Sequence, residues 1–228
     1  MMTFEMLTGQ TRDHVINFAG NHHLQFNATK AFLAMQKAAA GAGFKLMPAS
    51  SFRDFARQQS IWNEKFAGIR TVNDADNRPL DVTVLSEAQR CQAILRWSAL
   101  PGASRHHWGT EVDYYDPFRL PADTSLQLEP WEYEEGGYFA ALSAWLTENM
   151  AQFDFYLPFT QKKTGGVAYE PWHISYWPLS YEAEQLYTAD TLEQVLNTQE
   201  IAGKTWLLAN LDSIYQRYVR LPDSSAGN

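Results

Sequence analysis

From Asn27 to Ala42 apolar side chains return at helical spacing, at Ala28, Phe32, Met35, Ala39 and Ala42, and Gly43 stands where a left-handed cap would end that helix. Phe44 to Ala49 then reads as a short buried strand, and Phe55, Trp62 and Phe66 mark one face of a second helix ending at Gly68. Ser50 to Asp54 is therefore a strand-to-helix junction. Asn73 to Pro79, rich in Asn, Asp and Pro, predicts a surface loop, and the Ser86/Gln89 capping-box spacing starts a third helix over Glu87 to Ala99. Pro101 and Gly102 break it. Val112, Tyr114 and Tyr115 predict a strand that dissolves into the acidic, Pro-containing stretch Asp116 to Glu135, a long loop or flap. A helix over Tyr138 to Met150 follows, with Phe139, Leu142, Trp145 and Leu146 on one side. Strands are expected near Gly166 to Tyr169, introduced by the Gly165–Gly166 turn signal, and at His173 to Tyr176. Tyr181 to Val219 has the alternating faces of helices, and Pro222 to Asn228 reads as a disordered tail.

No internal repeat, low-complexity tract or interdomain linker interrupts this order. The expected organisation is one domain over residues 1–228, with an N-terminal extension at 1–24, a core at 25–180, a helical extension at 181–221 and the tail at 222–228. A chain of 228 residues, 45% hydrophobic, can bury a full core. Its formal net charge of −8 argues against a phosphate-binding surface, so nucleic acid is not an expected partner. The single cysteine, Cys91, cannot form an internal disulfide and lies in an apolar-periodic segment, where it reads as a buried small hydrophobe. Met1 to Asn21 lacks a basic start followed by an apolar run, and no stretch approaches the roughly 18 unbroken apolar residues of a membrane span. The expected location is the cytoplasm, with the periplasm as the alternative should a leader have been removed.

The chemistry concentrates in two segments. Ser104-Arg105-His106-His107-Trp108-Gly109-Thr110-Glu111-Val112-Asp113 combines an imidazole and a carboxylate around a turn glycine, two good zinc donors. Glu170-Pro171-Trp172-His173 offers a third. Pro171 is incompatible with a helix interior, so this is not the helical His-Glu-x-x-His arrangement of many zinc proteases. Glu170 and His173 must meet on an extended or bent segment.

Together these segments resemble the zinc D-alanyl-D-alanine carboxypeptidases and dipeptidases of the vancomycin-resistance type. That family's signature is occupied by Ser104, His106, Gly109, Asp113, Glu170, Trp172 and His173, and Ser51-Phe52-Arg53 with Gln58 resembles its upstream segment. The chain departs from the pattern at Phe52, where Tyr is usual, at Asp54, where Ser is usual, and at Glu111, where a small residue is common. The resemblance implies one Zn2+ per chain on His106, Asp113 and His173, with Glu170 as general base and acid. It also implies that Arg53 stabilises the oxyanion or clamps a substrate carboxylate, that Ser104 and Gln58 hydrogen-bond the C-terminal residue of the substrate, and that Trp172 walls the site. The fold it implies is α+β: a small, mainly antiparallel sheet holding the zinc site, with helices on one face and extra C-terminal helices outside.

Simpler readings stand beside these. His107 reads as structural, His22 and His23 as surface or packing residues in a loop, and His14 gives no signal. Arg53 could instead pair with Asp54 or Glu64, Gln58 could be a solvated helix residue, and Asp116 a turn residue. Glu129 to Glu135 reads as a solvated face or mobile lid. The expected activity is removal of a C-terminal D-Ala from peptidoglycan-derived peptides, L,D-carboxypeptidase action on tetrapeptides during muropeptide recycling being favoured because an efficient cytoplasmic D,D-activity would destroy pentapeptide precursors. The alternatives are D,D-carboxypeptidase or D,D-dipeptidase activity, an endolysin, which lacks support without a cell-wall-binding module, and a non-catalytic zinc-stabilised binding domain.

Overall fold

The computed structural model describes residues 1–74, 76–160 and 166–221. Helix α1 (Phe4–Leu7) is followed by the antiparallel hairpin β1 (Ile16–Ala19) and β2 (His22–Leu24). Helix α2 (Phe26–Gly41) comes next, and Gly43 beyond it adopts φ +88°, the left-handed conformation expected of it. Strand β3 (Met47–Ser50) feeds α3 (Phe55–Phe66), whose first turn is capped by Asp54 accepting from the Arg57 N–H at 2.9 Å. The 73–79 loop is bounded by a two-rung hairpin, β4 (Val72–Asn73) with β5 (Pro79–Leu80). The Ser86/Gln89 capping box opens α4 (Glu87–Trp97), as its spacing predicts.

Strand β6 (Glu111–Tyr115) leads through a long irregular stretch to the short α5 (Pro130–Tyr133), then α6 (Ala140–Asn149) and β7 (Phe155–Tyr156). Strand β8 (His173–Tyr176) runs directly into α7 (Trp177–Leu186), and α8 (Ala189–Thr198), α9 (Lys204–Ala209) and α10 (Leu211–Ile214) complete the described chain before a π-helical turn at Tyr215–Val219. No strand forms near Gly166 to Tyr169: the Ala168 N–H donates to the Arg96 carbonyl at the end of α4, so the segment is tied to a helix instead of a sheet edge. Gly165 and the expected tail at 222–228 lie outside the described residues.

The fold is α+β. Its central sheet has the order β3-β6-β8-β7, every pair antiparallel. Side chains alternate faces along a strand, and that period decides what each face becomes. Val112, Tyr114, Ile174 and Tyr176 point to one side and form a core with Phe32 and Met35 of α2 and Leu142 and Leu146 of α6. Glu111, Asp113, His173 and Ser175 occupy the opposite face and are buried too, so that face is a polar interior. A second core joins Trp62 of α3 and Cys91, Ile94 and Leu95 of α4 to Leu192, Val195, Leu196 and Leu207 of the C-terminal helices. The C-terminal helices are thus structural partners of α3 and α4. Cys91 is fully buried there, its thiol pushed up by burial to about 12, as expected of an inert small hydrophobe.

The stretch Glu129 to Glu135 departs from the solvated face or lid expected of it. Glu132 is fully buried, its carboxylate accepting the backbone N–H groups of Gln127 and Glu129, and Tyr133 donates to the Tyr114 carbonyl at 2.6 Å. Those contacts fasten the acidic segment to β6.

Candidate active site

Arg105–Trp108 forms a 3-10 turn that Gly109 ends at φ +69°, where a Cβ would collide with Val15. The turn delivers His106. Its Nδ1 lies 2.8 Å from the Ser51 carbonyl, which accepts the ring proton and leaves the Nε2 lone pair free, 3.3 Å from Asp113 Oδ2. Asp113 on β6 is the register partner of His173 on β8, so the antiparallel ladder itself places these two side chains opposite each other. His173 Nδ1 is 3.1 Å from Asp113 Oδ1.

The donor atoms of His106, Asp113 and His173 all lie within 4.8 Å of one another. Asp113 Oδ1 is buried without a hydrogen-bond partner, an orphaned acceptor that a cation at the shared focus would satisfy. Two imidazoles and one carboxylate are a zinc donor set that keeps a fourth position open. Burial lowers the His106 imidazole below its ordinary value, which keeps it a neutral ligand. Burial would raise Asp113, but His106 and His173 outweigh it and hold the carboxyl well below the usual range, in the ionised form a metal needs.

Glu170 stands beside this cluster, Oε2 3.6 Å from His173 Nδ1. Burial pushes its carboxyl up to about 7; Asp113 adds to the rise, and His173, Arg53 and Lys65 oppose it. A carboxyl poised near neutrality can both take and return a proton. Arg53 faces Asp113 and Glu170 electrostatically, and its guanidinium is aimed by Gln58 Oε1 at 2.7 Å and Ser50 Oγ at 3.2 Å. The competing partners are occupied elsewhere, Asp54 by Arg12 and Glu64 by Arg70.

Gln58 is fully buried, and its amide nitrogen donates to the Ala99 carbonyl at 2.7 Å. Both ends of the amide are used inside the protein, behind Arg53. Gln58 is therefore not a solvated helix residue; its geometry makes it the support of Arg53.

A cavity of about 850 Å³ opens over the cluster, and Ser104, Trp172, Glu170 and Arg53 all line it. So do Phe159 and Lys65, which the sequence reading does not single out. Phe159 packs edge-on against the His173 ring at 5.0 Å between centroids. Lys65 donates to Ser98 Oγ at 2.7 Å, and burial lowers its ammonium to about 8 against the opposing charge of Glu170. Gln127, Leu128 and Glu129 also reach the cavity, so the stretch after β6 forms part of its wall.

The remaining histidines have other tasks. His107 is fully buried and accepts the Gly102 N–H on Nε2 at 3.1 Å while Nδ1 donates to the Arg53 carbonyl at 2.6 Å. His14 meets the His107 carbonyl at 2.8 Å, and His22 meets Ser51 Oγ at 3.2 Å from a strand instead of the expected loop. Asp116 is buried and accepts the N–H groups of Lys45 and Phe118, a turn residue as its position suggests.

A His/Asp/His donor set beside a half-buried carboxyl and a half-buried guanidinium, in a cleft open to solvent, defines a metallopeptidase centre. The family model for VanY, D-alanyl-D-alanine carboxypeptidase, matches residues 21–179, and the chain belongs to that family. It is a zinc metallo-carboxypeptidase of the peptidoglycan-peptide class. An uncharacterized protein of Haemophilus influenzae is 50% identical over 121 residues, covering 53% of this chain and 92% of that protein. A D-alanyl-D-alanine carboxypeptidase of Enterococcus faecalis is 28% identical over 165 residues, 72% of this chain and 52% of that protein. Among solved structures, VanYB in complex with D-Alanine-D-Alanine aligns with a TM-score of 0.55 at 22% identity, over 84% of this chain and 92% of that one. A vancomycin-resistance D,D-pentapeptidase VanY variant in complex with Zn(II) gives a TM-score of 0.52 at 22% identity, over 85% and 88% of the two chains. The LdcB LD-carboxypeptidase gives 0.52 at 17% identity, over 86% and 78%.

Proposed function

We propose that this carboxypeptidase is an L,D-carboxypeptidase that releases the terminal D-Ala from peptidoglycan-derived tetrapeptides, leaving tripeptides for recycling in the cytoplasm. The observation that supports this reading is the size and polarity of the cleft. A substrate ending in D-Ala-D-Ala presents only methyl groups on both sides of the scissile bond. A tetrapeptide presents a long diamino acid there, with charged groups at its far end. A cavity of about 850 Å³ over the metal cluster, with Lys65, Asn73, Asn77, Gln127 and Glu129 in its lining, suits the second substrate. Tetrapeptide trimming also leaves pentapeptide precursors intact, which makes the activity compatible with a cytoplasmic location.

The residues divide the work as follows. Zinc bound by His106, Asp113 and His173 would supply Lewis acidity and an acidified water. Glu170 accepts the proton of the attacking water and returns it to the departing amine of D-Ala. Arg53, held by Gln58 and Ser50, stabilises the negative charge that develops on the carbonyl oxygen. Ser104 and Trp172 shape the pocket for the terminal residue.

Mass spectrometry of the zinc-loaded protein with tetrapeptide and pentapeptide in separate reactions tests the specificity. Loss of one D-Ala from tetrapeptide alone is the expected result. Cleavage of pentapeptide and not tetrapeptide would replace the reading with D,D-activity. Cell fractionation tests the location.

A further inference from the structure

We propose that Glu111 is a positioning residue for the metal centre, fixing the tautomer and orientation of His173 so that Nδ1 faces the metal. The proposal rests on the metallopeptidase reading of the His106, Asp113 and His173 cluster. Glu111 lies two residues before Asp113 on β6, hence on the same face, and its register partner is Ser175, two residues after His173 on β8. A four-residue square of side chains thus forms on the polar face, with the ligands in one row and Glu111 and Ser175 in the row behind.

The two oxygens of the Glu111 carboxylate have separate tasks. Oε1 is moored by three groups: it accepts from Ser175 Oγ at 2.8 Å and Thr110 Oγ1 at 2.9 Å, and it lies 3.5 Å from Arg105 Nε. Oε2 is presented to His173 Nε2 at 2.7 Å. A carboxylate at that distance accepts a hydrogen bond from Nε2–H, so the lone pair of the imidazole is on Nδ1, on the side of Asp113. A ring flip would turn a carbon toward Asp113 and leave Glu111 Oε2 without its donor.

The arrangement is more than a fold-stabilising ion pair. Arg105 has other partners, Glu184 at 3.3 Å, Tyr156 Oη at 2.7 Å and Ser175 Oγ at 3.1 Å, whereas His173 Nε2 is directed at the Glu111 carboxylate. The family pattern commonly has a small residue at this place, so the contact belongs to this chain's own variation. Through Arg105 it links the metal cluster to α7, which carries Glu184.

Two measurements test it. In the zinc-loaded wild-type protein, long-range 15N–1H correlation spectra of the histidine rings should show His173 metal-bound at Nδ1 and protonated at Nε2. Metal on Nε2 would overturn the proposal without any substitution. In parallel, chelator competition should give zinc affinities that fall in the order wild type, Glu111→Gln, Glu111→Ala, with the alanine variant ~10- to 100-fold weaker. Turnover at saturating zinc should fall in kcat more than in KM. Should Glu111→Ala not fold, Glu111→Gln, which keeps the shape and an acceptor, bears the affinity comparison. Wild-type zinc affinity and kcat in a folded variant would overturn the proposal. Failure of the wild-type protein to bind zinc at all would instead remove the metallopeptidase reading, and the proposal with it.

Discussion

His107 makes two hydrogen bonds that only a neutral ring can make, one as donor and one as acceptor. Burial, aided by the nearby charges of Arg53 and His106, depresses its pKa to about 3. An unfolded chain protonates the same ring near ~6.5. Between those values the unfolded state binds a proton that the folded state refuses, so His107 withdraws stability as the pH falls from ~6.5 towards 3, by up to ~1.4 kcal/mol per pH unit. Urea midpoints measured between pH 7 and pH 4 should decline, and His107→Gln, less stable at pH 7, should decline less; equal slopes would contradict the role. Gly109 supplies a second test. An alanine there must hold a left-handed backbone and collide with Val15, so Gly109→Ala should lose at least ~1 kcal/mol and weaken zinc binding, because the residue joins the His106 turn to the Asp113 strand. Unchanged thermal stability in that variant would refute the argument. At this scale the ligands, Glu170 and the turn glycine are legible in the sequence because their spacing is a motif. Gln58 is legible as a site residue but not as the support of Arg53, and Lys65 is not legible at all, since nothing local tells a solvated helix side chain from one bonded to residues 41 or 33 positions further along the chain.

Strands β6 and β8 do two jobs at once through their period of two. Val112 and Ile174 enter one core while Asp113 and His173 meet on the other side, and a one-residue slip would exchange them. The alternation is visible in Glu111-Val112-Asp113-Tyr114 and His173-Ile174-Ser175-Tyr176, and it is the signal by which Glu111 could have been assigned to the site face. The acidic segment before α6 is harder to read. Its charges suggest solvent, but the Glu132 carboxylate accepts the backbone N–H groups of Gln127 and Glu129, an arrangement that charge alone does not reveal. Tyr133→Phe removes a buried donor to the Tyr114 carbonyl and should destabilise by ~1–3 kcal/mol, with a larger KM than kcat effect because the segment that walls the cavity is anchored there. A denaturant midpoint and KM both at wild-type values would show that the anchor is dispensable.

On the scale of the molecule, two apolar cores flank a polar seam, and the cleft opens along it. Helical periodicity predicts most of this architecture. It does not predict the irregular segments 157–160, 166–172 and 127–129, whose positions follow from what they cover. The C-terminal helices complete the core of α3 and α4, and that core holds α3 where Arg53, Gln58 and Lys65 meet the site. The proposed tetrapeptide specificity has a consequence here. Lys65 is held at about 8 by burial, so any attraction it exerts on an anionic substrate group is lost above that pH. KM for tetrapeptide should rise several-fold between pH 7 and pH 9, and Lys65→Met should raise it at pH 7 and remove the dependence. A pH-independent KM in the wild-type protein would exclude Lys65 from recognition.

The chemistry depends most on the division between a metal-holding triad and a separate base. Calorimetric zinc titration and peptide turnover, measured side by side for the wild type and Glu170→Gln, test that division. One zinc per chain with similar affinity in both proteins is expected, with a loss of at least ~10²-fold in kcat for the variant. Turnover that survives in Glu170→Gln, or zinc that is lost with the carboxylate, would contradict it.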